Sequence, residues 1–287
     1  MKPALQNILG LCLVVLTALA GTPPAHADAT APIEAATYNL RLNLASDGPN
    51  AWTHRRAMVE SLVRYHQLDL IGTQEGLIDQ IRDLEQMPEY ARVGRGRDDG
   101  QDAGEHSAIF YRRARFELLA SGDFWLSATP DRPSMGWDAR CCKRIASWAR
   151  LRDKASGRSL AVFSVHFDHE GVVARRESAA LMLRQMAELS QGLPIVCLGD
   201  FNSTPDTPQI AAMSAALHDA RTWSQTPPYG PVGTFNGFKL DAPMDQRIDY
   251  IFVSPAVRVL KYAVLSDHLD GRFPSDHHPV VARLLLD

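Results

Sequence analysis

The sequence predicts an α/β fold in which two packed β-sheets are covered by helices. Three observations lead there. Strand-like and helix-like runs alternate along the chain. They fall into two strand-rich halves with helices between the strands, and such elements bury their apolar faces only by stacking in layers. The chain is also long enough for a sizeable core, with 287 residues of which 45% are hydrophobic and 22% charged. These values are ordinary for a globular protein and exclude a disordered tail, a collagen-like repeat and a multi-span membrane protein. No internal repeat or low-complexity segment interrupts the pattern.

Residues 34–40 read as the first strand. Residues 53–66 read as a helix, with Thr53 as N-cap candidate and Met58, Leu62 and Val63 on one face. The apolar run 68–72 is a buried strand, and 77–87 is a second amphipathic helix that Pro88 stops. Strands follow at 107–111, 116–121, 146–152 and 160–166. Residues 171–189 form the longest helix, since Ala179, Leu183, Met186 and Leu189 recur at near-helical spacing. An apolar strand at 194–198 and a helix at 207–217 come next. Strands at 248–253, 257–265 and 280–286 close the chain.

The first 27 residues differ from the rest. Lys2 is their only formal charge, residues 8–20 are apolar apart from Thr17, and Ala25-His26-Ala27 places small residues at a cleavage position. This pattern predicts a signal peptide, 1–27, removed after Ala27, with residues 28–287 as a single domain. An uncleaved anchor is the competing reading, although the run is shorter than the ~20 apolar residues of a comfortable span. The mature chain is therefore expected to be secreted or periplasmic, without stable membrane insertion, and monomeric.

Thirty Lys and Arg against 33 Asp and Glu give a formal net charge of -3, so no general attraction to polyanions is expected. Of four cysteines, Cys12 lies in the leader and Cys197 in an apolar strand. Cys141-Cys142 are either a vicinal disulfide or two ordinary thiols. No Cys/His spacing resembles a structural zinc site.

The polar residues of interest gather at the ends of predicted strands: Asn39, Glu75, His166, Asp200, Asn202, Asp249, Asp276 and His277. Strand ends are where a rigid scaffold presents side chains to a shared cleft. Carboxylates and amides are hard oxygen donors, suited to Mg²⁺, Mn²⁺ or Ca²⁺ rather than to a soft metal. A hard cation with carboxylates and imidazoles is the equipment of phosphoester hydrolysis.

The ordered set of short motifs around Asn39, Gln74-Glu75, His166, Gly199-Asp200-Phe201-Asn202, Ile248-Asp249-Tyr250 and Ser275-Asp276-His277 resembles the endonuclease/exonuclease/phosphatase superfamily, as a secreted bacterial-type member. The resemblance runs from Thr37 to Val280. It implies a four-layer α-β-β-α sandwich of two mixed, mainly antiparallel sheets. It implies a divalent metal, Mg²⁺ or else Mn²⁺ or Ca²⁺, on Glu75, with Asn39 beside it and Asp276 as a further carboxylate. Asp200 and Asn202 would position the attacking water and the phosphate. His277, oriented by Asp249, would contact the phosphate or act as acid/base. His166 matches a second histidine of the deoxyribonuclease-like members, and Glu105 falls where its acidic partner is placed. Arg144, more weakly Arg41, and the loop residue Trp137 are the substrate-contact candidates. Asp168 and His169 are ligands, supporting partners or plain loop residues.

The expected activity is that of an exported phosphodiesterase using in-line attack of water. A secreted nuclease is the alternative. Six arginines facing one cleft (Arg92, Arg95, Arg97, Arg112, Arg113 and Arg144) would be its signature. A phosphomonoesterase or a non-catalytic binding protein on the same fold are the remaining readings.

Overall fold

A computed structural model describes Met1 and residues 31–287; the expected leader and its cleavage site lie outside the described residues. Two six-stranded sheets form the centre. The strands are β1 (Ile33–Asn39), β2 (Leu70–Gln74), β3 (Tyr90–Val93), β4 (Ile109–Arg112), β5 (Phe116–Trp125), β6 (Ile145–Asp153), β7 (Ser159–His166), β8 (Ile195–Asp200), β9 (His218–Asp219), β10 (Asp249–Val253), β11 (Val257–Val264) and β12 (Val280–Leu286). One sheet runs β11-β12-β1-β2-β4-β3 and the other β5-β6-β7-β8-β10-β9. Each is antiparallel except for one pair, β1 with β2 and β7 with β8.

Those two parallel pairs require helical crossovers. Helix α1 (Trp52–Tyr65) joins β1 to β2, and α3 (Val172–Leu189) joins β7 to β8. Among the described residues, helices α2 (Ile78–Leu84), α4 (Pro208–Ala216) and the short α5 (Ala220–Trp223) complete the set, with a 3₁₀ helix at Ala45–Asn50. Three apolar clusters define four layers. Ile33, Ala35 and Leu70 of one sheet pack on Val162, Val196 and Leu198 of the other. Val59, Leu62 and Ile81 seal the helices on the first sheet. Ala179, Met182, Met186 and Met213 do the same on the second. This is the α-β-β-α sandwich of mixed, mainly antiparallel sheets that the motifs implied.

Thr53 does not cap α1. The helix begins one residue earlier, at Trp52, because the 3₁₀ turn delivers an extended Ala51 as its N-cap, and the Ala51 carbonyl accepts from His54 N–H. Strands β3 and β9 were not expected, being too short for a period-two pattern to register.

The sheets are in close contact near the site. A Cβ built on Gly72 would lie 2.7 Å from Leu198 Cβ and 3.0 Å from Ser164 Oγ. Just beside it, Gln74 accepts from Thr37 and donates to Ser164, whose hydroxyl donates to the Thr73 carbonyl. The residue at 72 must therefore lack a side chain. Gly72→Ala should cost about 1–3 kcal/mol through overpacking, read by chemical denaturation. Leu198→Gly, which removes the Cβ that the new methyl meets, should cost less in the Gly72→Ala background than in wild type if the contact is the cause. An unchanged midpoint for Gly72→Ala would show that the sheets separate freely there.

Candidate active site

Register brings the site together. In the second sheet Asp200 pairs with both His166 and Asp249, so three functional side chains share one strand-end row. In the first, Asn39 pairs with Gln74, which places Glu75 at the adjoining end of β2. Arg41, Glu75 and Asn202 all adopt positive φ, at 56°, 64° and 45°. Non-glycine residues rarely hold such angles, and when they do the surroundings enforce them. Here the enforcement is visible. Asn39 Oδ1 accepts from Arg41 N–H at 3.0 Å, and Asp200 Oδ1 accepts from Asn202 N–H at 2.8 Å.

Among the site's side chains, one amide links acids from the two sheets. Asn39 Nδ2 donates to Glu75 Oε1 at 2.9 Å and to Asp200 Oδ2 at 3.0 Å. Asn39 therefore bridges two carboxylates, with its oxygen turned to the Arg41 backbone. Ser275 Oγ donates to the Asn39 carbonyl at 2.6 Å and so anchors the Asp276 segment beside it. Arg55 of α1 is fully buried and donates to the carbonyls of Leu40, Arg41 and Pro274. It holds the chain on either side of the acids, a task the helix pattern gave no reason to assign.

A pocket of about 400 Å³ is lined by Arg41, Glu75, Arg97, Glu105, Arg144, His166, Asp200, Asn202, Asp276 and His277, together with Leu42, Cys142, His169, Phe235 and Ile248. Most of the residues expected from sequence thus converge. Asn39 and Asp249 are buried behind the wall. Trp137 is exposed and not part of the lining. Glu105 sits between a cation and a neutral imidazole: it pairs with Arg97, and its Oε2 lies 3.6 Å from His166 Nδ1. That is a partner's position more than a substrate contact. Phe235, edge-on to the His277 ring at 5.1 Å, was not singled out from sequence. The turn signal Gly233-Thr234-Phe235-Asn236-Gly237 marks the loop but not its destination. A second concavity, lined by Met58, Leu62, Tyr65, Leu269 and Pro274 among others, contains none of the expected residues.

The two histidines are held in opposite states. Burial disfavours the charged form of His277, but Asp249, 2.9 Å from Nδ1, together with Asp200 and Asp276, overrides it and raises the pKa well above the ordinary range. His277 Nδ1–H then donates to Asp249, and Nε2 faces Asp200 Oδ2 at 3.9 Å. Burial and the nearby Arg144 charge depress His166 to about 3, so it stays neutral. Burial and the Asp249 charge raise Asp200. Burial, with Glu75 nearby, lifts Asp276 to about 6.

Such crowding of hard oxygen donors is the condition under which a divalent cation is favoured, since it relieves mutual repulsion. The ligand atoms of Glu75, His166 and Asp200 lie within 4.8 Å of one another, as do those of Asp200, Asp249 and His277. Cys141 and Cys142 form a vicinal disulfide, and Cys142 reaches the pocket wall.

A rigid strand-end cluster of this kind on a double-sheet sandwich defines a phosphoester hydrolase. The chain belongs to the Endonuclease/Exonuclease/phosphatase family, whose profile matches residues 36–277. It is 40% identical to a solved family protein from Bacteroides thetaiotaomicron, which covers 90% of this chain and 99% of that one at a TM-score of 0.86. A mannosyl-6-phosphatase from the same organism is 41% identical, covering 88% and 100%, at a TM-score of 0.84. Nocturnin of Drosophila melanogaster is 26% identical over 183 residues, or 56% of this chain. That match spans only 26% of the relative's own length.

The charge on His277 depends on its acid. Asp249→Asn keeps the burial and removes the attraction, so the His277 pKa should fall. Imidazole NMR shifts followed against pH in the metal-free protein read this directly. A His277 titration that does not move would rule out Asp249 as its cause.

Proposed function

We propose that this chain is an exported, Mg²⁺- or Mn²⁺-dependent phosphomonoester hydrolase, and that its substrate is a sugar phosphate of the hexose 6-phosphate kind. The observation that carries it is the pocket itself. A charged His277, a neutral His166, Asp200 and a set of hard oxygen donors face one small, polar space with two buried arginines. The likeness to a mannosyl-6-phosphatase supports the substrate class. On that likeness the monoester reading is preferred to the expected diester. The nuclease alternative loses its signature, because only Arg97 and Arg144 of the six arginines line the pocket. Arg92 pairs with Glu85, Arg95 lies beside Asp123, and Arg112 binds the Leu68 carbonyl. A nucleic acid would need a continuous cationic track.

Glu75, Asp276 and Asp200 are the residues that would hold the cation, with Asn39 available if its amide turns. When bound, such an ion neutralises charge on a phosphate oxygen. Asp200 orients the attacking water and receives its proton, a role helped by a pKa raised above that of an ordinary carboxylate. The His277 imidazolium donates from Nε2 to a phosphate oxygen or to the leaving group, with Asp249 holding the tautomer. Asn202, which lines the pocket, donates from Nδ2 to His166 Nε2 at 3.1 Å and to the Phe167 carbonyl at 3.0 Å, and so helps to hold the neutral ring.

Export rests on the leader pattern and is supported by the Cys141–Cys142 disulfide, which suits an oxidising compartment. Among the described residues no helix is long and apolar enough to cross a membrane.

Mannose 6-phosphate should be hydrolysed in Mg²⁺ or Mn²⁺, faster than bis-p-nitrophenyl phosphate, and not after chelation. His277→Ala and Asp200→Ala should each lower kcat at least about 100-fold. Diester turnover exceeding monoester turnover would reverse the substrate reading, and wild-type rates in both variants would remove the catalytic one. In a secreting host, N-terminal sequencing should find the mature chain starting at Asp28; an intact Met1 would contradict export by cleavage.

A further inference from the structure

Asp168 is buried beside the pocket but does not line it. Its Oδ1 accepts from Glu170 N–H at 2.9 Å and from Gly171 N–H at 2.6 Å, closing the turn that enters α3. Its Oδ2 faces Arg144 Nε at 3.4 Å. Arg144 is only 4% exposed, and its Nη2 lies 2.7 Å from His169 Nδ1. A guanidinium has no acceptor, so His169 must accept at Nδ1 and carry its proton on Nε2. Arg144 Nη1 is the remaining arm, and it is buried with no protein partner among the described residues. An orphaned donor on a buried cation is costly unless a ligand meets it. The Arg144 side chain lines the pocket.

We propose that Asp168 is a positioning residue, which holds Arg144 so that its Nη1 binds the substrate's terminal phosphate. The choice of a terminal phosphate rests on the monoesterase reading; the positioning role does not. One carboxylate does two tasks with two oxygens. Oδ1 orders the turn that carries His169, and Oδ2 and His169 together grip the guanidinium from Nε and Nη2. With those two arms taken, the side chain has little rotational choice and Nη1 is preset. A preset donor binds an anion without the ordering cost that a free arginine bears. The Cys141 sulfur lies within 4.8 Å of the ligand atoms of Asp168 and His169, so the disulfide helps cover this grip.

The two tasks separate by substitution. In Asp168→Asn the amide oxygen can still accept both turn N–H groups, but its NH₂ would face the Nε–H donor and release Arg144. Affinity for inorganic phosphate, measured by calorimetry with Mn²⁺ present, should weaken about 10-fold in Asp168→Asn, the scale of a hydrogen bond to a charged group. Asp168→Asn should keep the turn and so lose less thermal stability than Asp168→Ala, which gives up both the turn and the ion pair. On the hydrolysed ester KM should rise by a similar factor, with kcat changing less than about threefold. In an Arg144→Ala background Asp168→Asn should add nothing, because the pair acts as a unit. Equal weakening in both backgrounds, or phosphate affinity unchanged in Asp168→Asn, would overturn the proposal and make Asp168 a turn cap only. Failure of wild type to hydrolyse any monoester would instead overturn the substrate reading, while the phosphate affinities still decide the role of Asp168.

Discussion

The site depends on the Asn39 amide, which joins acids from the two sheets. Glu75 belongs to the end of β2 and Asp200 to the end of β8, so they come from different layers of the sandwich. Asn39 Nδ2 reaches both. Hydrogen bonds to charged groups are worth about 1.5–3 kcal/mol each, and here they are spent on holding two like charges near each other. That is affordable only because the sheets are already close at Gly72, where any side chain would push Leu198 away. Apolar packing sets the distance, and the amide fixes the chemistry on top of it.

From that spacing the electrostatics follow. Glu75, Asp200 and Asp276 line one crevice with Asp249 buried behind them, and burial raises the cost of their charges. Asp200 and Asp276 respond by holding protons more tightly than usual. His277 responds in the opposite sense, because three of the acids surround it. His166 is as buried as His277 but has Arg144 nearby, and it stays neutral. The difference between two histidines in one pocket is thus a matter of neighbours, not of depth. One is equipped to donate a proton from a charged ring, and the other to accept hydrogen bonds or to bind a cation through a lone pair.

Much of this was legible in the sequence, and for a physical reason. Strand ends are marked by an abrupt change from apolar to polar residues, so Asn39, His166, Asp200 and Asp249 announce their positions without any structure. The motif order then implied the four layers. The helix start at Ala51 escaped because it depends on a 3₁₀ turn whose Gly48-Pro49 pair reads as a loop. Arg55 escaped because on a helix an arginine is ordinarily a solvated residue, and only the tertiary fold brings Leu40 and Pro274 to its arms. Arg97 was noticed merely as a charge, since nothing local tells that Glu105 will face it.

The same distinction explains why reaction class is easier to read than substrate. The hydrolytic groups sit on strand ends, whose geometry is set by register and repeats wherever the fold occurs. The walls that meet the rest of the substrate come from the segments that carry Arg97, Cys142, His169 and Phe235. Their positions are set by long-range contacts, such as Asp138 accepting from Val173 N–H and Ala174 N–H across 35 and 36 residues. Glu105 shows what such contacts add. Shared between Arg97 and His166, it already has a cation to satisfy it, so it has less reason to draw a proton onto His166. A substitution at Arg97 would alter a histidine it never touches. Specificity and acid–base state are therefore coupled through the loops, even though the catalytic groups themselves stand on the sheets.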